Sequence, residues 1–251
     1  MAGAVVLIPR SSMPSIHRAA LAALALAACG KAKEPRVFVL NGLDIPVTVA
    51  ITADGDTETV LVPAHGRATP DVSGMATVKV TTAKGDLISE GPAQFGKPDG
   101  SPGCYRVYNV MGAAAYVDED VVYGNGFGKP EYRRRAGEIS EDECGISFAF
   151  REPAKAISVD QYAPAGDNLG WLHYEGEGTW VVAVNSLLDD TGQWASQSRG
   201  AAQRIVRAVV THDPDNPALP AIKDRLAQLQ LAVPEPTPGN LLAQPARRRR
   251  P

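Results

Sequence analysis

Between residues 36 and 90, short apolar runs alternate regularly with turn residues. Residues 47–52 alternate with a period of two, with Val47, Val49 and Ile51 on one face, which is the pattern of a strand with one buried face. Asp54-Gly55 then supplies a hairpin turn, because both residues tolerate a positive φ, and a partner strand follows at residues 57–62. Further runs of this kind occupy residues 37–40, 76–81 and 87–89. This spacing predicts an antiparallel β-sandwich-like module over residues 36–90.

A second β region is predicted at residues 104–160, after a segment rich in Gly and Pro. Its strand-like runs lie at residues 105–110, 115–117, 121–123, 146–150 and 156–159. Two arrangements are open at this point: the second region completes the sheet of the first, or it forms a sheet of its own.

Residues 168–231 are predicted to be mainly helical. Apolar side chains, Trp194 among them, recur at helical spacing between Asp190 and Thr211, and Asp190 or Thr191 is the expected N-cap.

A second helix is expected to follow, with Asn216 as its cap and Pro217 at its first position, where a missing N–H costs nothing. Two helices joined by so short a link form a helical hairpin. Residues 168–188 fit a strand or a helix equally well. Residues 232–251 are Pro-rich, end in four arginines and a proline, and predict a disordered basic tail. The expected fold class is α+β, with the sandwich-like region first, then the hairpin and the tail.

A different kind of signal lies near the start of the chain. An apolar run at residues 19–28 follows two basic residues and ends at Cys29. The run has the length of an export signal, about 7–15 residues, and is shorter than the roughly 20 needed to span a bilayer. It resembles the signal peptide and lipobox of a bacterial lipoprotein, in which Leu26-Ala27-Ala28-Cys29 matches the lipobox. Initiation at Met1 or at Met13 is compatible with this resemblance.

The resemblance implies how the mature protein is held. Residues 1–28 would be removed as a signal peptide, the Cys29 sulfur would carry lipid, and residues 29–35 would form a lipidated tether. Gly30 stands where many such proteins retained at the inner membrane have an aspartate. The expected location is therefore the cell envelope, with the outer membrane favoured over the inner.

Two cysteines remain once Cys29 is assigned to lipid. Cys104 and Cys144 each open a strand-like run, and an exported protein experiences an oxidising compartment. We therefore expect a disulfide between them, with two buried thiols or a metal site as alternatives. A metal site is the weaker alternative, because no Cys-x-x-Cys motif or paired histidine accompanies these cysteines.

Recognisable motifs for catalysis and cofactor binding do not occur in the sequence. It contains no Gly-x-Ser-x-Gly elbow, phosphate loop, dinucleotide fingerprint or His-Glu-x-x-His helix. No cofactor and no resident metal are therefore expected. The formal net charge of −3 gives no indication of nucleic-acid binding. An exported hydrolase remains an alternative, with a site around His173, Tyr174, Glu175 and Glu177.

The aromatic residues suggest a second alternative. Thirteen of the fifteen fall between Tyr105 and Trp194, and Tyr and Trp are enriched at binding surfaces. Either they pack in the core, or loops present some of them to a glycan or peptide. The candidates for such a surface are Tyr123, Phe127, Tyr132, Tyr162, Trp171 and Tyr174.

The function expected from these observations is that of an exported lipoprotein anchored to the membrane. It would act as a binding or envelope-scaffold module and not as an enzyme. Its partners would be the membrane, through the lipid on Cys29, and an envelope protein or glycan, but not nucleic acid.

Overall fold

A computed structural model of the chain describes residues 36–95, 103–122, 131–151 and 168–243. These residues confirm the α+β class. Their strands are β1 (Val37–Leu40), β2 (Val47–Ala53), β3 (Asp56–Val62), β4 (Arg67–Ala68), β5 (Gly74–Thr82), β6 (Leu87–Phe95), β7 (Tyr105–Asn109), β8 (Tyr116–Val122), β9 (Glu131–Arg135), β10 (Ser140–Glu143), β11 (Ile146–Ala149) and β12 (Asn168–Tyr174). Their α-helices are α1 (Thr179–Asp189), α2 (Ala195–His212) and α3 (Leu219–Gln228). Outside the described residues lie the signal-like run, Cys29, the tether, the run at 156–159 and residues 244–251.

The first sheet has the strand order β3-β2-β5-β6 and is antiparallel throughout. The alternation in β2 buries Val47, Val49 and Ile51 on one face, as the sequence predicts. Asp54 and Gly55 form the β2–β3 turn with φ values of 52° and 91°. The predicted hairpin is thereby confirmed.

Two further sheets combine strands from regions that the sequence predicts as separate. One has the order β10-β7-β1-β4, and in it β1 pairs in parallel with β7, so that Val39 lies opposite Tyr108. The other has the order β11-β12-β8-β9. Strands of the second β region therefore extend the first region, through β7, and also form a further sheet together with β12 of the segment predicted to be mainly helical.

The largest core cluster is shared by the first sheet and all three helices. Trp180 of α1 and Ile205 of α2 are fully buried in it, together with Val80 of β5 and Leu226 of α3. A second cluster packs the β8–β12 sheet against β1 and β7. Its aromatic members are Phe38, Tyr105, Tyr116 and Phe150.

The helices begin at different residues from those predicted. Trp194, not Asp190 or Thr191, is the N-cap of α2. Ala218 is the N-cap of α3, so the prediction that placed Pro217 at the first helical position was wrong by two residues. The reason is a turn before the helix, in which the side-chain oxygen of Asn216 accepts a hydrogen bond from the Ala218 N–H at 3.1 Å. The ambiguous segment divides into β12 and α1, which are separated by residues 175–178.

Residues 232–243 belong to the Pro-rich segment for which the sequence predicts a disordered tail. In the structure they contact β6: Leu241 donates its N–H to the Ile88 carbonyl at 3.0 Å and is 9% exposed. The side-chain amide of Asn240 bonds to both the N–H and the carbonyl of Glu90, at 3.0 and 2.6 Å. These contacts supply partners for backbone N–H and C=O groups of β6 that would be unpaired at the edge of the sheet.

Candidate functional site

Cys104 and Cys144 form the predicted disulfide. Cys104 directly precedes β7, and Cys144 directly follows β10. These strands are antiparallel neighbours in which Glu143 lies opposite Tyr105, so the bridge closes the ladder at its end. It links segments 40 residues apart in the sequence.

A cluster of charged groups lies beside the bridge and connects β8, β9 and β10. The Tyr116 hydroxyl donates to Glu141 at 2.7 Å and lies 3.2 Å from Glu143. Arg135 contacts both carboxylates, at 3.6 Å to Glu141 and 3.2 Å to Glu143. Burial raises the pKa of Glu143 to about 6; Arg135 opposes this rise, and the neighbouring acids Glu141 and Asp118 add to it. This cluster holds a titratable proton within the fold.

The hydrolase alternative requires His173, Tyr174, Glu175 and Glu177 to converge. His173 instead pairs with Glu119 of β8, at 3.1 Å between Nε2 and Oε2. Glu175 pairs with Arg134 of β9. Both acid–base candidates are therefore engaged in contacts with side chains of neighbouring strands, on one face of the sheet.

Tyr174 lies on the opposite face of the same sheet. Its hydroxyl donates to the Gly66 carbonyl at 2.5 Å, and its ring packs against Phe150. Glu177 is exposed in the turn before α1. The four residues do not meet in one cleft, so their arrangement gives no basis for a hydrolase site.

The aromatic candidates within the described residues do not form one exposed surface. Trp171 is 2% exposed, because its ring stacks on Phe148 at a centroid distance of 4.9 Å. Tyr132 of β9 is 65% exposed, but its neighbours on that strand are the charged residues Glu131 and Arg133. Outside the described residues lie Tyr123, Phe127 and Tyr162.

An open groove of about 670 Å³ runs along α2. We call it the α2 groove. Its volume lies within the range of about 300–1,000 Å³ that is typical of small-ligand sites. One wall is the stripe of α2 side chains at helical spacing, and the other consists of the end of α1 and the β9–β10 connection. Its lining residues are Ala136, Gly137, Glu138, Leu187, Asp190, Trp194, Gln197, Ser198, Ala201 and Arg204.

Arg204 is the cation of the α2 groove. One Nη of its guanidinium donates to the Gly137 carbonyl at 2.7 Å, and its buried Nε–H has no acceptor in the described part of the chain. Among the residues that the structure describes, no carboxylate lies within ion-pair distance of it. Burial lowers its pKa, and the nearby Glu138 carboxylate opposes that shift. A partly buried charge without a counterion is costly unless a partner is supplied.

The far end of the α2 groove carries an indole and a carboxylate. Trp194 is 59% exposed, whereas the chain's other tryptophans, Trp171 and Trp180, are buried. Asp190 accepts hydrogen bonds from the Gly192 N–H at 2.8 Å and the Ser198 hydroxyl at 2.5 Å. These two bonds lower the pKa of Asp190 and keep it ionised. The groove thus holds opposite charges at its two ends.

Sequence reasoning missed this groove. The helical spacing groups Trp194 with apolar residues such as Ile205, whereas the structure places Trp194 at the N-cap and leaves it exposed. The polar members of the stripe, Gln197 and Arg204, share helical spacing with Ala201 and were the available signal. The β9–β10 part of the opposite wall is more than 55 residues away in the sequence, so no local pattern indicates it.

Comparisons with protein-family models, with curated proteins and with solved structures give no match for this chain. In the described part of the chain, no three His, Cys, Asp or Glu residues are grouped so as to hold a metal ion. The helices described are all too short or too polar to cross a membrane.

Proposed function

We propose that this protein is an exported lipoprotein of the cell envelope that works by binding a ligand at the α2 groove. In this proposal, lipid on Cys29 anchors the chain to the outer membrane. The disulfide-braced sheets serve as the frame that positions the groove.

Export is supported by two independent features. One is the lipobox-like segment that ends at Cys29. The other is the Cys104–Cys144 disulfide, since such bonds persist in oxidising compartments and are rare in reducing ones. The lipobox-like segment and the disulfide therefore both favour a location outside the inner membrane.

Binding is supported above all by the α2 groove, in which one concave surface is lined by an exposed indole and by a guanidinium without an ion-pair partner among the described residues. Trp and Arg are the residue types most enriched at energetic hot spots of interfaces. In contrast, the residues proposed for hydrolysis are divided between two faces of a sheet and engaged in other contacts. A binding role therefore fits the described geometry better than a catalytic one.

The anchor is tested by metabolic labelling with an alkyne-tagged fatty acid in a bacterial host. Wild-type protein should acquire the label and fractionate with membranes, whereas Cys29→Ser should lose the label and become soluble. Cys104→Ser is the matched control, because it removes another sulfur and should leave the labelling intact. Undiminished labelling of Cys29→Ser would refute the anchor.

The binding site is tested by placing a photo-crosslinking amino acid at position 194 in intact cells. The control places the same amino acid at Leu61, which is 65% exposed in β3. A discrete adduct from position 194, absent from position 61 and lost when Arg204 is replaced by Gln, is the expected result. Equal adducts from both positions would count against a site at the groove.

A further inference from the structure

We infer that the α2 groove takes a short peptide that carries both a free C-terminal carboxylate and a free ammonium group. This inference rests on the proposed binding function and adds the chemical class of the ligand. It assigns the carboxylate to the Arg204 end and the ammonium group to the end that holds Trp194 and Asp190.

The Arg204 end requires an anion. A guanidinium offers five N–H donors, and the Gly137 carbonyl accepts from one Nη of Arg204. No carboxylate among the described residues lies within ion-pair distance, and the exposed Glu138 compensates the Arg204 charge only in part. A ligand carboxylate supplies both the missing charge and a planar acceptor that matches the guanidinium fork.

The opposite end favours a cation. Asp190 is ionised and already oriented by its bonds to Gly192 and Ser198. The exposed indole of Trp194 offers a π face, which attracts ammonium groups. A ligand with a single negative charge would satisfy Arg204 and leave this end without a partner.

The spacing of the two ends sets the length of the ligand. Trp194 and Arg204 are ten positions apart on α2, which corresponds to about 15 Å along the helix axis. The Asp190 carboxylate is bonded to Ser198, six positions or about 9 Å before Arg204. An extended chain of four residues spans about 13 Å between its ends, which lies between these two spacings. A single amino acid is too short to contact both ends.

Glu138 refines the inference. It is exposed in the β9–β10 connection, and its charge acts on Arg204. A ligand carboxylate bound at Arg204 is repelled by this acid, although solvent screens the repulsion. Removal of the Glu138 charge should therefore strengthen peptide binding, which a site that prefers cations alone would not show.

Tetra-alanine with both termini free is the probe, and its C-terminal amide and N-acetyl forms are the matched controls. Binding to the full-length protein is followed by the fluorescence of Trp194, because the other two tryptophans are buried. Tetra-alanine should shield Trp194 from acrylamide quenching. The amide should bind about tenfold or more weakly, since it loses a charge-assisted contact.

Protein variants give the reciprocal test. Arg204→Gln should weaken tetra-alanine about tenfold and abolish discrimination against the amide. Arg207→Gln, an exposed residue one turn further along α2, should change neither. Glu138→Gln should bind tetra-alanine more tightly, and this result stands even if Arg204→Gln proves poorly folded by thermal unfolding.

Equal affinity for tetra-alanine and its amide would overturn the inference. It would also be overturned if tetra-alanine at about 10 mM, roughly the weak limit of specific recognition, did not shield Trp194 from acrylamide quenching. Either result, together with a groove-specific crosslink from position 194, would leave the proposed binding function in place and exclude only this class of ligand. Loss of both the crosslink and the peptide signal would remove the function as well.

Discussion

The indole Nε1 of Trp180 donates a hydrogen bond of 2.7 Å to Oδ2 of Asp44, although the two residues are 136 positions apart. The same oxygen accepts from the side-chain amide of Asn216 at 2.5 Å, and Oδ1 pairs with His65. One carboxylate therefore connects the β1–β2 loop, the β3–β4 turn, α1 and the α2–α3 link. It fixes the helices against the sheets that carry the other wall of the α2 groove.

Asp44→Asn should destabilise the protein by about 1–3 kcal/mol. The carboxylate accepts from Trp180, Asn216 and His65, and the asparagine would replace one accepting oxygen by an NH₂ group that cannot accept. Burial raises the pKa of Asp44, but the bonds from Asn216, Trp180 and His65 outweigh burial and hold the pKa below its usual value. The contribution is therefore present at neutral pH and lost as the pH falls through the folded-state pKa. Urea unfolding at pH 7 and pH 3 measures both effects.

The exposed Asp215, in the α2–α3 link, provides the control for this substitution. Asp215→Asn makes the same chemical change and should alter the free energy of unfolding by less than about 0.5 kcal/mol. Similar losses from both variants would show that Asp44 is not the connecting group described above.

Replacing Cys104 and Cys144 together by Ala should lower the free energy of unfolding by about 4 kcal/mol in the chain-entropy view, given a separation of 40 residues. Urea unfolding with and without dithiothreitol measures the loss. The reductant should destabilise the wild type by a similar amount and leave the double variant unchanged. A wild type insensitive to reductant under denaturing conditions would contradict this expectation.

The parts of the fold that the sequence predicts are those with local signals. β2 and its hairpin are predicted because a half-buried strand imposes a period of two and the turn requires Asp54-Gly55. β9 is missed because residues such as Tyr132 and Arg133 are exposed, so the strand is defined by its pairing with β8 and not by burial.

Relations between distant segments could not be predicted in the same way. The parallel pairing of β1 with β7 joins strands about 70 residues apart, and no pattern in either strand specifies its partner. The α2 groove likewise depends on a bond between Arg204 and the Gly137 carbonyl, 67 positions away. Of the functional predictions, the disulfide could be made because setting Cys29 aside for lipid leaves two of the three cysteines and one pairing.

Gly42→Ala should destabilise the protein by about 1–3 kcal/mol or more, because a Cβ at this position would lie 2.2 Å from the Ala113 carbonyl oxygen. Backbone cannot move aside as a flexible side chain can. The Gly42 carbonyl also accepts bonds from the Thr179 hydroxyl and the Trp180 N–H, so a shift would disturb the start of α1. Thermal unfolding measures the loss.

Gly91 of β6 is the matched control for Gly42→Ala, because its added Cβ would meet no atom within 4 Å. Gly91→Ala should be neutral or stabilising by up to about 1 kcal/mol, since it reduces the entropy of the unfolded chain. If Gly42→Ala unfolded at the same temperature as Gly91→Ala, the close approach of the two backbone segments would be wrong.

Glu143→Gln should change how stability depends on pH. The pKa of Glu143 is raised to about 6 from its ordinary value of 4.5, so the folded state holds this proton more tightly than the unfolded state. Wild-type stability should therefore fall as pH rises through this window, by about 1 kcal/mol between pH 5 and pH 7 from this group alone. Glutamine does not titrate and lacks this dependence.

The comparison must be made as a difference between variants, because His212 acts in the opposite direction. Burial lowers the pKa of His212, so its contribution to stability is lost as pH falls through its ordinary value near 6.5. Subtracting the wild-type profile from that of Glu143→Gln cancels the histidine and leaves the carboxyl, with the variant gaining relative stability towards pH 7. The exposed Glu131→Gln should give a flat difference. A flat difference for Glu143→Gln as well would mean that the cluster around Tyr116 holds no proton near neutral pH.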